Sequence, residues 1–206
     1  MSGRRPLLRL LLPVIVALTA AACRQGNGLP DSGGRPYEVL LVGDTGKIID
    51  SLLSEPMSGL PQDEPQMDVS HTGKRGLNGI ARLARNIVEV DVNARQYRTT
   101  ALQSKQDVFA SPQTFVRITT PSMEHLRRFL ARNGYRLTNF LVRAELNRIQ
   151  KQLERNHNEE AMQKIRKTFG VSMLVPADMT SSKREQDFLW LSNNANTGMA
   201  SICSIL

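Results

Sequence analysis

Asp44-Thr45-Gly46 follows an apolar run, Tyr37 to Val42, with Gly43 between them. A strand ending in such a triplet can place an aspartate for acid-catalysed peptide hydrolysis, which needs a second carboxylate about 3 Å away to share its proton. Lys47 replaces the small residue usual after the glycine, and Asp, Thr and Gly also suit a plain strand-to-helix turn, as cap and bend. The same stretch, Gly43 to Lys47, falls short of a phosphate loop. Two residues separate its glycines where four are needed, and Ile48 follows the lysine where Ser or Thr should stand. Glu154 and His157 have the Glu-x-x-His spacing that puts both side chains on one helix face, yet a di-iron site needs two copies and two further glutamates. His71 and His125 have no carboxylate or cysteine at ligand spacing, so the histidines read as solvated and no metal or other cofactor is expected.

Arg143, Glu145 and Arg148 form the most suggestive polar group. Glu145 and Arg148 are an i, i+3 ion pair, and Arg143 falls on a different face of the helix. The arginines either bind an anionic ligand or, with the glutamate, orient the helix on the rest of the fold. Arg127, Arg128 and Arg132 belong to the same basic block and are further candidates for contact with an anionic ligand or a lipid surface. Trp190 is the single tryptophan, with Asn193-Asn194 close behind it. Core packing plus a turn explains these three economically, and the same three would make the ligand platform of the fold, a sugar being one candidate.

The remaining reactive residue type is cysteine, of which there are two. Residues 1–22 read as a secretory leader, with basic Arg4, Arg5 and Arg9, an apolar segment from Leu10 to Ala17, then Ala20-Ala21-Ala22. The apolar segment is shorter than the roughly 20 residues needed to span a bilayer. Cys23 follows the alanines directly and resembles the acceptor cysteine of a bacterial lipobox, with Ala20 where Leu, Val or Ile is preferred. The resemblance implies a signal peptide removed before Cys23 and a thioether-linked lipid on its sulfur. Several acyl chains, each buried CH₂ contributing about 0.8 kcal/mol, make such an anchor stable. Cys203 then has no intrachain partner, and its strand-like surroundings predict a buried, inert thiol.

The elements that must carry these residues follow from periodicity. Residues 23–36, rich in glycine and proline, are expected to form a lipid-attached flexible tether, and 37–206 a single domain. Strands are predicted at Tyr37 to Val42, Met67 to Ser70, Asn86 to Val92, Asp107 to Ala110 and Thr114 to Thr119. Within Asn86 to Val92, valines alternate with Glu89 and Asp91, as in a half-buried strand. Helices are expected over Ile48 to Leu53 and Arg75 to Arg85. Three consecutive helices should fill 121–169, broken at Asn133-Gly134 and again before Asn158. The tail returns to strands at Val171 to Val175, Phe188 to Leu191 and Ser201 to Leu206. The expected class is α+β, or mixed α/β, a mixed sheet with helices packed on it. The apolar last strand is expected either to be central in its sheet or to mark a domain incomplete at its C-terminus, the second being the reading adopted.

Several segments together resemble an uncharacterised lipoprotein family, classed as a domain of unknown function and found mainly in the Bacteroidota. They are Leu29 to Val39, Asp107 to Gln113, Phe140 to Arg148 and Asp187 to Asn194. The resemblance implies a localisation, the cell envelope, and carries no activity or catalytic residue.

Charge sharpens the expected partner. The chain has 27 Lys+Arg against 19 Asp+Glu, a formal +8, which first suggests nucleic acid. Without the leader it is +5, and residues 121–169 alone hold eleven basic against five acidic residues. The basicity is confined to one helical block. Behind an export signal, anionic lipid head groups or envelope polysaccharide are the natural counter-charges, nucleic acid is not, and a merely solvated helix face is the plain alternative. The sequence therefore predicts a membrane-anchored, periplasm-facing lipoprotein that binds or scaffolds without catalysis. An envelope hydrolase with an acidic site around Asp44, Glu145 or Asp187 is the competing reading.

Overall fold

The computed structural model describes residues 28–185, 187–196 and 198–205. The leader, Cys23 and the first part of the expected tether lie outside the described residues. The stretch read as one domain divides into two compact units, one ending at Arg128 and the other beginning at Phe129. The class is α+β, with a mixed sheet, helices packed on it and a second, smaller sheet.

The first unit is built on five strands: β1 (Glu38–Val42), β2 (Asp68–Thr72), β3 (Asn86–Val92), β4 (Ala101–Gln106) and β5 (Thr114–Thr120). Their order is β2-β1-β3-β5-β4, parallel except for the edge strand β4. Buried β1, β3 and β5 are rich in Val, Ile and Leu, the composition of parallel strands covered on both faces. One face packs Val42, Ile87 and Phe115 with Leu40, Leu77, Ala84, Val108 and Phe109. The Phe109 ring meets Phe115 edge-on at 5.8 Å and lies under the Arg82 guanidinium. The register sends Leu41, Val88, Val90, Val116 and Ile118 to the opposite face, all buried. Helix α1 (Ile48–Leu53) buries Ile49 and Leu53 and is tied to β2 by His71 Nε2 and Asp50 Oδ2, 3.2 Å apart.

Helix α2 (Met123–Arg155) begins in the first unit and continues into the second. The second unit adds α3 (Glu159–Phe169) and an antiparallel sheet of β6 (Ser181–Arg184), β7 (Phe188–Ser192) and β8 (Ser201–Ile205), with β7 central. Its core joins Ala161 and Ile165 of α3 with Val175, Met179, Leu189 and Leu191. Asn158 caps α3 by accepting from Ala161 N–H at 3.0 Å, and Gly170 closes it in the left-handed conformation. Glu159 and Glu160 at its start, with Arg166 and Lys167 at its end, suit the helix dipole.

Several expectations change. The described residues hold three α-helices, but not as a run of three within 121–169, because α2 passes unbroken through Asn133-Gly134. A mid-helix glycine costs only about 1 kcal/mol, and Asn133 donates to Phe129 O in place of a stop. Arg75 to Arg85 forms two short 3-10 segments, Lys74–Gly76 and Gly79–Leu83, with Gly79 at positive φ. Asp107 to Ala110 is a bend, while β4 and β6 are strands not predicted, and Val171 to Val175 is not part of a sheet. Part of the expected tether is bound to the body. Ser32 and Gly33 donate to Ser111 O and Leu83 O, and Pro30 O and Gly33 O accept from Ser111 and Arg85. Cys203, expected buried, is exposed.

Candidate functional site

The most concentrated polar constellation lies on β3 and its neighbours. Glu89 and Asp91 leave β3 on one face, and Glu89 stands opposite Arg117 of β5 in register. Tyr97 comes back over β3 because Asn93 folds the loop: its side-chain oxygen accepts from Arg95 and Gln96 N–H at 3.0 and 3.1 Å. Tyr97 Oη then donates to Asp91 Oδ2 at 2.7 Å. Arg117 Nη2 reaches the same oxygen at 3.0 Å, and its Nε lies 3.4 Å from Glu89. Lys74, in the turn after β2, bonds the other oxygen, Oδ1.

Asp91 is 13% exposed, and these donors hold its carboxyl at about 2, well below its usual value, against burial that acts the other way. The Lys74 bond has the largest effect, followed by the one from Tyr97. The bond to Asp91 in turn raises the Tyr97 phenol above its usual range. Such a carboxylate has no proton to exchange near neutrality. The cluster clamps the loops after β2 and β3 onto the sheet. Lys74 and Arg117 remain about half exposed and are its outward-facing donors.

The sheet order reverses beside β1, the point where open α/β sheets usually take ligands at the carboxyl ends of their strands. Here the chain occupies that place itself. Gly43, at φ +80°, lets β1 turn against Val90 O, only 2.8 Å from where a Cβ would sit. Asp44 then aims its buried carboxylate at the start of α1, accepting from Ile48, Ile49 and Asp50 N–H at 3.2, 3.0 and 3.0 Å. The turn reading of Asp44-Thr45-Gly46 is what the structure shows. A second triplet of the kind acid proteolysis requires, Asp31-Ser32-Gly33, is in the chain. It cannot pair with Asp44: its bridges to Ser111 and Ala84 hold it beyond the opposite ends of the strands, about 16 Å of β-strand away.

A family model for a domain of unknown function (DUF8532) matches residues 32–154, more than half of the chain. The chain belongs to this family. A second model, for another domain of unknown function (DUF4837), matches residues 158–204. No curated protein and no solved structure matches the chain. The DUF8532 match contains the whole Asp91 cluster, the Asp44 cap and α2 up to Glu154.

Within the DUF8532 portion, the arginines named from the sequence separate. Glu145 is fully buried and bonded to Arg148, itself 10% exposed, so Arg148 faces inward and the orienting role fits it. Arg127 and Arg128 share Glu124, at 3.0 and 3.7 Å. Arg132 and Arg143 are exposed, and Arg136, not singled out from the sequence, joins them. The helical period could have found it, since it falls one turn beyond Arg132.

Beyond that match, Trp190 lies half-buried on the sheet face opposite Leu189 and Leu191. Asn193 accepts from Ala195 and Ala200 N–H at 3.2 and 3.0 Å, and Asn194 bonds Ser181, so both asparagines build the turn. His157 contacts Leu153 O and Glu159 in place of Glu154, which Gln150 engages. Asp187 is exposed just before β7. Among the described residues, no three of His, Cys, Asp and Glu come together as a metal site would require. A cleft of about 290 Å³ opens between the bound N-terminal segment and β1, lined by Gly33, Leu40, Ser70, Ile80, Leu83 and Arg85.

Proposed function

We propose that this protein is a non-enzymatic binding or scaffolding lipoprotein of the cell envelope, of the kind found in the Bacteroidota. In this reading it is tethered through lipid on Cys23 and faces the periplasm. The observation that carries the non-catalytic part is the state of its most enclosed acids. Asp44 is committed to three amide groups, Asp91 to Lys74, Tyr97 and Arg117, and Glu145 to Arg148. A hydrolytic site of the acidic kind needs a carboxylate that can take up or release a proton beside its substrate. All three instead organise loops and helices through these bonds, and Asp91 is in addition held well below its usual carboxylate range.

The anchoring part is supported by the order of charge, apolar segment, three alanines and cysteine at residues 4–23. No helix among the described residues is long and apolar enough to cross a membrane, so the anchor proposed is the lipid. The test is fractionation of cells producing the wild-type chain or Cys23→Ser. Wild type should sediment with membranes and show acyl mass on a peptide beginning at Cys23, and the variant should shift to the soluble fraction or retain its leader. An unmodified Cys23 in the mature protein defeats the proposal.

A further inference from the structure

We propose that the outward ridge of α2 in the second unit rests on an anionic lipid surface, with Arg132, Arg136 and Arg143 on head groups and Tyr135 and Leu146 entering the interface beside them. This deepens the tethered reading, on which it rests. At about 100° per residue, the three arginines fall within about 40° of arc and along about 16 Å of helix. Tyr135 and Leu146 run along one side of that line, 66% and 51% exposed, unusual for large apolar groups on a charged face.

Charge complementarity identifies the occupant. Between Phe129 and Arg155, the exposed residues of α2 include Arg132, Arg136, Arg143, Lys151 and Arg155 against Glu154 alone, because Glu145 and Arg148 turn inward together. None of Arg132, Arg136 and Arg143 has an acidic partner among the described residues, unlike Arg127 and Arg128 at Glu124. A purely polyanionic partner would use the guanidinium groups and leave Tyr135 and Leu146 in water. A lipid interface uses both, cations at head-group level and apolar side chains just below.

The test uses the full-length protein isolated with its lipid and carrying Cys203→Ser and Leu146→Cys, the new thiol bearing a fluorophore. It is reconstituted into vesicles of phosphatidylcholine, alone or mixed with phosphatidylglycerol, and quenched from the aqueous side with acrylamide. Quenching should fall about fivefold in the anionic vesicles, and the protection should vanish at about 0.5 M salt. It should also vanish in R132Q/R136Q/R143Q, persist in the matching Arg→Lys triple, and persist in R127Q/R128Q. A label at Ile80→Cys should quench equally in both vesicles. Equal quenching at position 146 in protein that still floats with both vesicles overturns the ridge inference alone. Failure to float overturns the tethering reading instead. Equal protection from soluble dextran sulfate over phosphatidylcholine assigns the ridge to a polysaccharide and overturns the lipid assignment.

Discussion

Tyr97 donates its phenol proton to Asp91, six residues earlier, and so folds the loop after β3 back onto the strand it leaves. Lys74 does the same for the loop after β2 from the other carboxylate oxygen. One acid thus anchors two loops at the carboxyl ends of the sheet's parallel strands.

The pH dependence follows from that arrangement. The Asp91 carboxyl ordinarily titrates near 3.8 and is held at about 2 in the folded protein. Its contribution is complete above the unfolded value and is lost as pH falls from there through about 2. Asp91→Asn should therefore cost on the order of 2 kcal/mol at neutral pH, and the difference from wild type should close toward pH 2. Urea unfolding at several pH values, followed by hydrogen exchange in β3, checks both. A penalty that stays constant with pH would mean that Asp91 acts through its shape.

Asp44 should behave as a cap. Asp44→Ala strands three amide groups at the start of α1 and should cost about 1–3 kcal/mol, while Asp44→Asn, with one acceptor left, should cost less. Exchange of the Ile49 and Asp50 amides is the local readout. Acceleration confined to α1 supports capping, and unchanged exchange excludes it.

The Glu145–Arg148 pair predicts a non-additive result. Arg148→Met alone takes a charge-assisted hydrogen bond from a fully buried carboxylate and should destabilise the second unit by about 1.5–3 kcal/mol. Arg148→Met combined with Glu145→Gln should recover most of that loss. Trp190, the single tryptophan, reports unfolding of this unit by fluorescence. Additive losses would show that the two side chains act separately.

Cys203 should react with a maleimide under native conditions, since it sits exposed on the outer face of β8. Labelling only after denaturant would return it to the interior.

What the sequence made legible was whatever burial writes as period. The valines of β3 alternate with Glu89 and Asp91, and the strand is found with the expected bounds. The stripe of α3 and its Asn158 and Gly170 ends were equally readable. Strand β4 was invisible because all six of its residues face water, so nothing in Ala101–Gln106 alternates. The Asn133-Gly134 stop failed because a local preference of about 1 kcal/mol is small beside what the good helix formers on both sides of it favour, and α2 runs through unbroken. The Asp91 cluster was half legible. Two acids on one face of a strand could be read from alternation, but Lys74, Tyr97 and Arg117 arrive from three other segments that only register and loop folding bring there.

The backbone bonds at Pro30, Ser32 and Gly33 bear on reach. Seven peptide steps separate Cys23 from Pro30, at most about 25 Å when fully drawn out. Were lipid attached at Cys23, as proposed above, so short a leash would let the body swivel over one patch of bilayer and would deny it the far side of the envelope. Any partner would then have to come to the membrane.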